Sequence, residues 1–300
     1  MSVKKNTTII IILLAVVYFG LQVKYHYKVN GDYTIIQTED TSDNKMSDYI
    51  NTKYPIVINK TMNEEHLLFN LSQDIIQSIC AGKWVFFNTQ NSPLDYTKPS
   101  QVNIDIIPEL VKNNNKWKYT LNHSFMKEYK MYQEVVDLLK PIQPKLSFNT
   151  KHCITVSSKD YTEPLQYSED YKIVFVQLSG TKLVRLFNPL QKKLVYIDNK
   201  FNPNYTAQSC IDIWEDHTKL YKRYPKLKET EFIDIILRPG NTLIIPNFWL
   251  FSTKNVDNSV TLKSNINTIF SHLVKIPTNL LEFSHEFGIY KNNSCYCHTH

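Results

Sequence analysis

The histidines are the residues of this chain best suited to hold a metal ion, because a neutral imidazole nitrogen binds transition metals. Three of the nine histidines, His152, His217 and His272, lie in or beside predicted strands or on a loop between them. A metal site requires ligands that meet within tenths of an ångström, and nothing in this spacing specifies such convergence. We expect ordinary hydrogen-bonded or surface histidines, and a metal site formed by these three is the weak alternative.

The five cysteines, an odd number, lack the spacing of a zinc ribbon. The C-terminal sequence CYCHTH contains Cys295, Cys297, His298 and His300, which could together hold a soft metal. No second pair of ligands is spaced to complete a tetrahedral site, so a frayed terminus is the interpretation that we favour.

Several function classes are disfavoured by composition. The net charge of +6 is spread along the chain, whereas nucleic-acid binding needs a basic stripe, so we expect no nucleic-acid partner. Six glycines in 300 residues leave little room for a phosphate-binding loop or a dinucleotide fingerprint, and neither motif is present. No Ser-His-Asp nucleophile elbow is found either.

The N-terminus contains an uncharged, largely apolar stretch, residues 7–23, preceded by Lys4 and Lys5. As a helix it would be about 26 Å long, enough for a thin bilayer. A cleaved signal peptide is the competing interpretation, but no convincing small-residue cleavage site follows. We predict a tail and single-pass transmembrane anchor over 1–28 and a polar stalk over 29–53.

The orientation that we favour places the rest of the chain on the lumenal or extracytoplasmic side. A glycoprotein would then be expected, because five N-x-S/T sequons would be accessible to glycosylation. They begin at Asn59, Asn70, Asn122, Asn204 and Asn292.

Residues 54–275 are predicted to form one domain, mainly β with flanking helices. Apolar residues at helical spacing indicate helices over residues 64–80 and from His123 to Pro141. After residue 150, short β-branched strands with Pro or Gly between them are typical of a β-sandwich or barrel. Residues 276–300 are interpreted as an amphipathic segment that packs on the sandwich or on a second copy, followed by the Cys/His tail.

The motifs of this region occur in a specific order: Gly180-Thr181-Lys182, then Tyr224-Pro225, then Arg238-Pro239-Gly240, and finally Trp249. In this order, residues 54–271 resemble the JmjC and cupin-like 2-oxoglutarate oxygenases, and they are similar to the asparaginyl-hydroxylase and tRNA-wybutosine hydroxylase branches. The resemblance implies a double-stranded β-helix, that is, a jelly roll. It also implies that Trp249 lines the pocket.

In that family, two histidines and one carboxylate hold Fe(II), and 2-oxoglutarate occupies part of the remaining coordination sphere. The family spacing places the first ligand pair on Tyr167-Ser168-Glu169 or, one residue earlier, on Gln166-Tyr167-Ser168. The position of the second histidine is Phe251, which cannot bind a metal. Tyr167, Glu169 and Phe251 are therefore read as degenerate metal positions, and no resident cofactor is expected.

Lys182 stands where the family binds the distal carboxylate of 2-oxoglutarate. A lysine that points into a pocket is costly without an anion, so the pocket could still bind a dicarboxylate. The equal alternative is a solvent-exposed lysine on a turn.

The resulting prediction is a membrane-anchored, catalytically inactive pseudo-oxygenase that acts in binding or assembly, with a protein partner or a homodimer possible. A divergent Fe(II)- and 2-oxoglutarate-dependent hydroxylase of protein or another macromolecule, with non-standard ligands, is the alternative. The second alternative is a structural membrane or virion protein.

Overall fold

Short β-branched and aromatic stretches, separated by Pro, Gly and Asn, form the strands of two sheets in a computed structural model of the chain. The structure describes residues 2–42, 45–69, 71–90, 99–129, 131–201, 207–209 and 211–277, and also positions 280, 283, 284 and 289.

The helices of the described residues are α1 (Ser2–Tyr27), α2 (Met46–Ile50), α3 (Gln73–Ile79), α4 (Ile107–Lys112), α5 (His123–Lys127), α6 (Met131–Leu139), α7 (His217–Arg223) and α8 (Ile269–Val274). The first eight strands are β1 (Ile36–Asp40), β2 (Ile56–Lys60), β3 (Trp84–Thr89), β4 (Ser100–Asn103), β5 (Trp117–Leu121), β6 (Ser147–Ser157), β7 (Thr162–Tyr167) and β8 (Lys172–Ser179). The others are β9 (Lys182–Phe187), β10 (Ile197–Phe201), β11 (Ala207–Ser209), β12 (Ile233–Leu237), β13 (Thr242–Pro246), β14 (Leu250–Asn255) and β15 (Ser259–Thr268).

The larger sheet has the strand order β1-β2-β13-β8-β15-β6-β5-β3-β4, and the smaller sheet has the order β10-β11-β7-β14-β9-β12. From β6 to β15 the chain alternates between the sheets, except that β9 to β12 all lie in the smaller sheet, and β13-β8-β15-β6 face β7-β14-β9-β12. This is the strand order of a jelly roll, and it confirms the predicted mainly β architecture with added helices.

Three apolar clusters follow from the alternation of side chains along these strands. Between the sheets lie Ile173 and Phe175 of β8, together with Trp249 and Phe251. The intervening Val174 and Val176 face the other side of the larger sheet, in a cluster that also contains residues of α3 to α6. On the outer face of the smaller sheet, Leu165 and Leu250 pack with residues of α7 and the segments around it.

The helix α1 contains the stretch Asn6–Tyr27, which is long and apolar enough to cross a membrane. The most apolar part of this stretch is not buried against the rest of the described chain. A signal sequence would satisfy the same criteria of length and composition. The C-terminal end of α1 contacts the sandwich, since the backbone carbonyl of His26 accepts hydrogen bonds from Asn247 Nδ2 at 2.7 Å and from Lys53 Nζ at 3.2 Å.

Residues 29–53 differ from the predicted stalk. β1 adds to the larger sheet by pairing in parallel with β2, and Met46 and Ile50 of α2 are buried in the core. β1 joins the sheet with few apolar residues, because backbone hydrogen bonds to β2 hold it in place. The composition of a segment does not show whether its backbone forms such bonds.

Helical content also differs from the prediction. Residues 64–80 contain the helix α3 only at their end, where Ser72 accepts a hydrogen bond from the backbone of Ile75 as the N-cap. Residues 123–141 form two short helices, α5 and α6. Residues 70, 204 and 292 and the CYCHTH tail lie outside the described residues.

Candidate functional site

The expected iron ligands lie where β7 ends and β14 begins. We call this end of the sandwich the site end and define it by residues 167–172, 246–250 and 268–274. The turn before β14 includes Phe248, whose φ of 67° lies in the left-handed region. Its backbone N–H donates to the Ser168 carbonyl at 2.9 Å, which joins the two loops that would carry the ligands.

Phe251 points into the interior between the two sheets. It is 1% exposed, and its ring centroid is 5.7 Å from that of Phe175 in an edge-to-face arrangement. Its direct partner on β7 is Gln166, and cross-strand partners in an antiparallel pair lie on the same face of the sheet. The residue that faces Phe251 is therefore Gln166, which corresponds to the second of the two registers that the family spacing allows.

Tyr167 consequently lies on the opposite face of the smaller sheet. It packs with the outer apolar cluster, and its hydroxyl accepts a hydrogen bond from Lys192 Nζ at 2.7 Å. Sequence spacing from Gly180 allowed Tyr167 or Gln166 in the ligand position, and the pairing of Gln166 with Phe251 decides for Gln166. Nearer the start of β7, an extra residue between Glu163 and Gln166 relative to β14 keeps both of these side chains on the interior face.

These side chains do not fit an Fe(II) ion. Phe251 offers no lone pair, and the interior position opposite it holds an amide rather than an imidazole. In the same register, the carboxylate position is Ser168, whose hydroxyl donates to Asp170 Oδ2 at 3.1 Å. Glu169 lies half-buried in the loop between β7 and β8.

The three histidines named as alternative ligands lie apart. His152 is buried on the outer face of the larger sheet, 2.8 Å from Ser264 Oγ. His217 is exposed at the start of α7. His272 lies on α8, where its ring contacts the ring of Phe148 at the start of β6. Within the described ranges, no group of three His, Cys, Asp or Glu side chains is arranged to hold a metal ion.

Trp249 is buried within the site end rather than open to solvent, with 1% of its surface exposed. Its indole N–H donates to the Lys53 carbonyl at 3.2 Å, and Tyr33 contacts its ring edge-on at 6.3 Å. The side chain therefore fixes the segment before β2 against the turn before β14.

A cluster of charged side chains lies deeper in the interior, toward the opposite end of the sandwich. Glu163 of β7 forms an ion pair with Lys118 of β5, with 2.5 Å between Oε1 and Nζ. The side chains of these two residues are 14% and 25% exposed. Lys182 is 4% exposed and shares the interior face of β9 with Val184, and Lys263 of β15 places its ammonium 6.0 Å from the centre of the Phe251 ring. We call Lys118, Glu163, Lys182 and Lys263 the lysine cluster.

The lysine cluster carries an excess of positive charge. Three lysines against one glutamate give +3 and −1, or +2. Among the described residues, none forms a hydrogen bond or ion pair with the Lys182 ammonium. Burial of a charge is costly without a partner, and this cost falls on the Lys182 ammonium.

The pKa values of the cluster follow from burial and from this crowding of charges. Burial would raise the pKa of Glu163, but the three neighbouring lysines outweigh it and hold that pKa well below its usual range. Burial would lower the pKa of Lys118, but the ion pair with Glu163 raises it. For Lys182, burial dominates and lowers the pKa to about 8, because Glu163 only partly opposes it and the other two lysines add to it.

Of the cluster, only Lys182 was identified from the sequence. Lys118, Glu163 and Lys263 lie on strands β5, β7 and β15, far from Lys182 along the chain. A charged residue within an otherwise apolar or β-branched strand was the available signal, and in a lysine-rich chain that signal is weak.

Comparison with known proteins places this arrangement in a family. Residues 42–272 match the Cupin-like domain family. The chain is also similar to JmjC domain-containing histone demethylation protein 1 of Candida albicans, with 24% identity over 144 residues that cover 47% of this chain. The matched region spans only 28% of the length of that protein.

Proposed function

Because this chain belongs to the Cupin-like domain family, within the wider JmjC and cupin superfamily, we propose that it is a membrane-anchored binding protein of that superfamily. In this proposal it carries out no iron-dependent oxidation, and the interior of its sandwich binds a small dicarboxylate. The observation that carries the proposal is the burial of Phe251 against Phe175, at the position where the family's second histidine would bind iron.

The ligand class follows from the lysine cluster. Lys182 is a buried residue whose ammonium has no hydrogen-bond partner among the described residues, and an interior with an excess charge of +2 would be unfavourable without a bound anion. Lys182 is the position that the resemblance associates with the distal carboxylate of 2-oxoglutarate. A dicarboxylate could pair with Lys182 and Lys263, while Glu163 remains paired with Lys118.

Membrane attachment is proposed from α1. Its apolar residues are exposed, and a helix that is apolar on all sides is stable in lipid rather than in water. At the end of α1, His26 accepts a hydrogen bond from Asn247 and its ring contacts the ring of Phe248, so that α1 is connected directly to the site end.

Thermal unfolding with and without dicarboxylates tests the binding function. We expect 2-oxoglutarate and succinate to raise the melting temperature without added metal, because a ligand that binds only the folded state stabilises it, by about 2.7 kcal/mol at a hundredfold excess over Kd. Lys182→Met should abolish this rise. The matched control, Lys219→Met at an exposed position on α7, should retain it.

The pH dependence adds a second criterion. Lys182 is charged below its pKa of about 8 and loses the proton above it, so stabilisation by the dicarboxylate should weaken as the pH rises beyond that value. A ligand effect that is equal in Lys182→Met, or absent at every pH, would contradict the anion site and favour a role in assembly alone.

Metal analysis tests catalytic inactivity separately. We expect substoichiometric iron in the purified chain and no succinate formation from 2-oxoglutarate when Fe(II) is added. Stoichiometric iron together with 2-oxoglutarate turnover would reject the pseudo-oxygenase and support the divergent hydroxylase.

A further inference from the structure

Five large apolar side chains are exposed on α8, just after it, and around the start of β6, which pairs with the end of β15 at the site end. Their exposed fractions are 60% for Leu146, 49% for Phe148, 43% for Ile269, 40% for Leu273 and 42% for Ile276. We call these five residues the apolar platform. Monomeric soluble domains rarely leave such a group uncovered, so it indicates a binding surface.

The platform is continuous because β6 begins beside α8. The backbone N–H of Ile269 donates to the Leu146 carbonyl at 3.2 Å, and Phe148 is the strand partner of Asn267. The ring centroid of Phe148 is 5.3 Å from that of His272. One surface is therefore formed by the start of β6 and the exposed side of α8.

The platform adjoins the apolar part of α1. The ring of Tyr18 contacts Phe270 of α8 edge-on, with 5.3 Å between centroids. Tyr18 lies five residues before Val23, the last residue of the uncharged stretch, which corresponds to about 7.5 Å along a helix. If α1 crosses a bilayer, α8 is held about as deep as interfacial helices lie, roughly 5–10 Å into the boundary between headgroups and acyl chains.

The charges around the platform suit a lipid headgroup region. Lys145 is exposed directly before Leu146, and Lys24 and Lys28 are exposed near the end of α1. The nearby carboxylate of Asp170 forms an ion pair with Lys275, with 2.6 Å between Oδ1 and Nζ. Exposed lysines at the edge of an apolar surface can reach lipid phosphates while their stems stay in the interface.

We propose that the apolar platform is a second membrane contact, in which α8 and the start of β6 enter the bilayer interface beside α1. The site end of the sandwich then faces the membrane. This inference rests on the membrane attachment proposed above for α1 and goes beyond it, because a membrane crossing by α1 does not by itself require that α8 and the start of β6 enter the lipid.

Quenching by brominated lipid in phosphatidylcholine vesicles tests the contact in the full chain. Leu273→Trp places a fluorophore on the platform, and Ile236→Trp is the matched control, since Ile236 is 50% exposed on β12 away from the site end. Emission of the unsubstituted chain, with its four tryptophans, is subtracted. We expect brominated acyl chains to quench the added emission of Leu273→Trp and to leave that of Ile236→Trp unchanged.

The outcomes separate this inference from the anchor. A chain that floats with the vesicles while Leu273→Trp stays unquenched by brominated lipid contradicts the platform contact but retains the anchor. If the added tryptophan is then also shielded from aqueous acrylamide, a second copy or another protein covers the platform. A chain that does not float with vesicles contradicts the membrane attachment itself.

Discussion

Phe251 illustrates how a single side chain decides between packing and chemistry. Its ring fills the space between the sheets next to Phe175, and removal of a buried phenyl group typically costs about 3–5 kcal/mol. An imidazole at the same position would need a metal or a hydrogen-bond partner to offset its burial. Gln166, its cross-strand partner, supplies neither a nitrogen ligand nor a carboxylate.

A pair of histidines placed across β7 and β14 tests this assignment of faces. Gln166→His with Phe251→His should create a site for Co²⁺ or Zn²⁺, because directly opposed side chains have Cβ atoms about 4.5–5.5 Å apart. Tyr167→His with Phe251→His should not, since Tyr167 points to the other face. The measurement is the rise in melting temperature on addition of metal, with chelator as control. A larger rise in the Tyr167→His pair would show that Tyr167, and not Gln166, shares a face with Phe251.

At the scale of elements, the turn between β8 and β9 sets the position of Lys182. Gly180 has a φ of 70°, and a Cβ on it would lie 2.0 Å from the Asn258 carbonyl oxygen. The turn therefore packs against the loop before β15, and glycine is required by both conformation and contact. Gln177 supports the same turn, because its side-chain N–H donates to the Ser179 carbonyl at 2.7 Å.

Alanine at two glycines separates these two requirements. Gly82 also has a positive φ, of 73°, but nothing lies within 4 Å of its ideal Cβ. Gly82→Ala should cost only the conformational strain, about 1–2 kcal/mol. Gly180→Ala should cost clearly more, because the backbone of Asn258 must move. Denaturant unfolding measures both, and equal costs would contradict the close approach at Gly180.

For the whole molecule, α1, which we propose as the membrane anchor, contacts the sandwich directly. The described part of residues 29–53 belongs to the folded domain, and the end of α1 contacts the turn before β14. The domain is thus held close to the point where α1 would leave the bilayer. The side of the membrane on which it lies stays a prediction from the sequence.

Glycosylation of the full chain tests that orientation. Asn59 begins an N-K-T sequon and is exposed on β2, whereas Asn122 is half-buried and its side-chain oxygen accepts from the Phe125 backbone as the N-cap of α5. When the chain is synthesised into endoplasmic reticulum membranes, we expect a glycosidase-sensitive shift that Asn59→Gln reduces and Asn122→Gln leaves unchanged. A chain that carries no glycan would place the domain on the other side.

The sequence by itself determined the local features of this protein. Alternation and β-branched composition predicted most strands of the sandwich, the uncharged stretch predicted α1, and the order of motifs up to Trp249 identified the superfamily, as the family match confirms. Phe251 was already visible as a position without a ligand atom. These features depend on residue type and on periodicity over a few residues, which the chain shows directly.

Only the tertiary structure decided which faces and which distant residues meet. The pairing of β7 with β14 turned Gln166 inward and Tyr167 outward, parallel pairing brought the supposed stalk into the sheet, and strands far apart in the chain assembled the lysine cluster around Glu163. The physical reason is that strand register and strand partners are set by hydrogen bonds and packing between remote segments. A shift of one residue in register exchanges the two faces of a strand, and no local pattern of residues records such a shift.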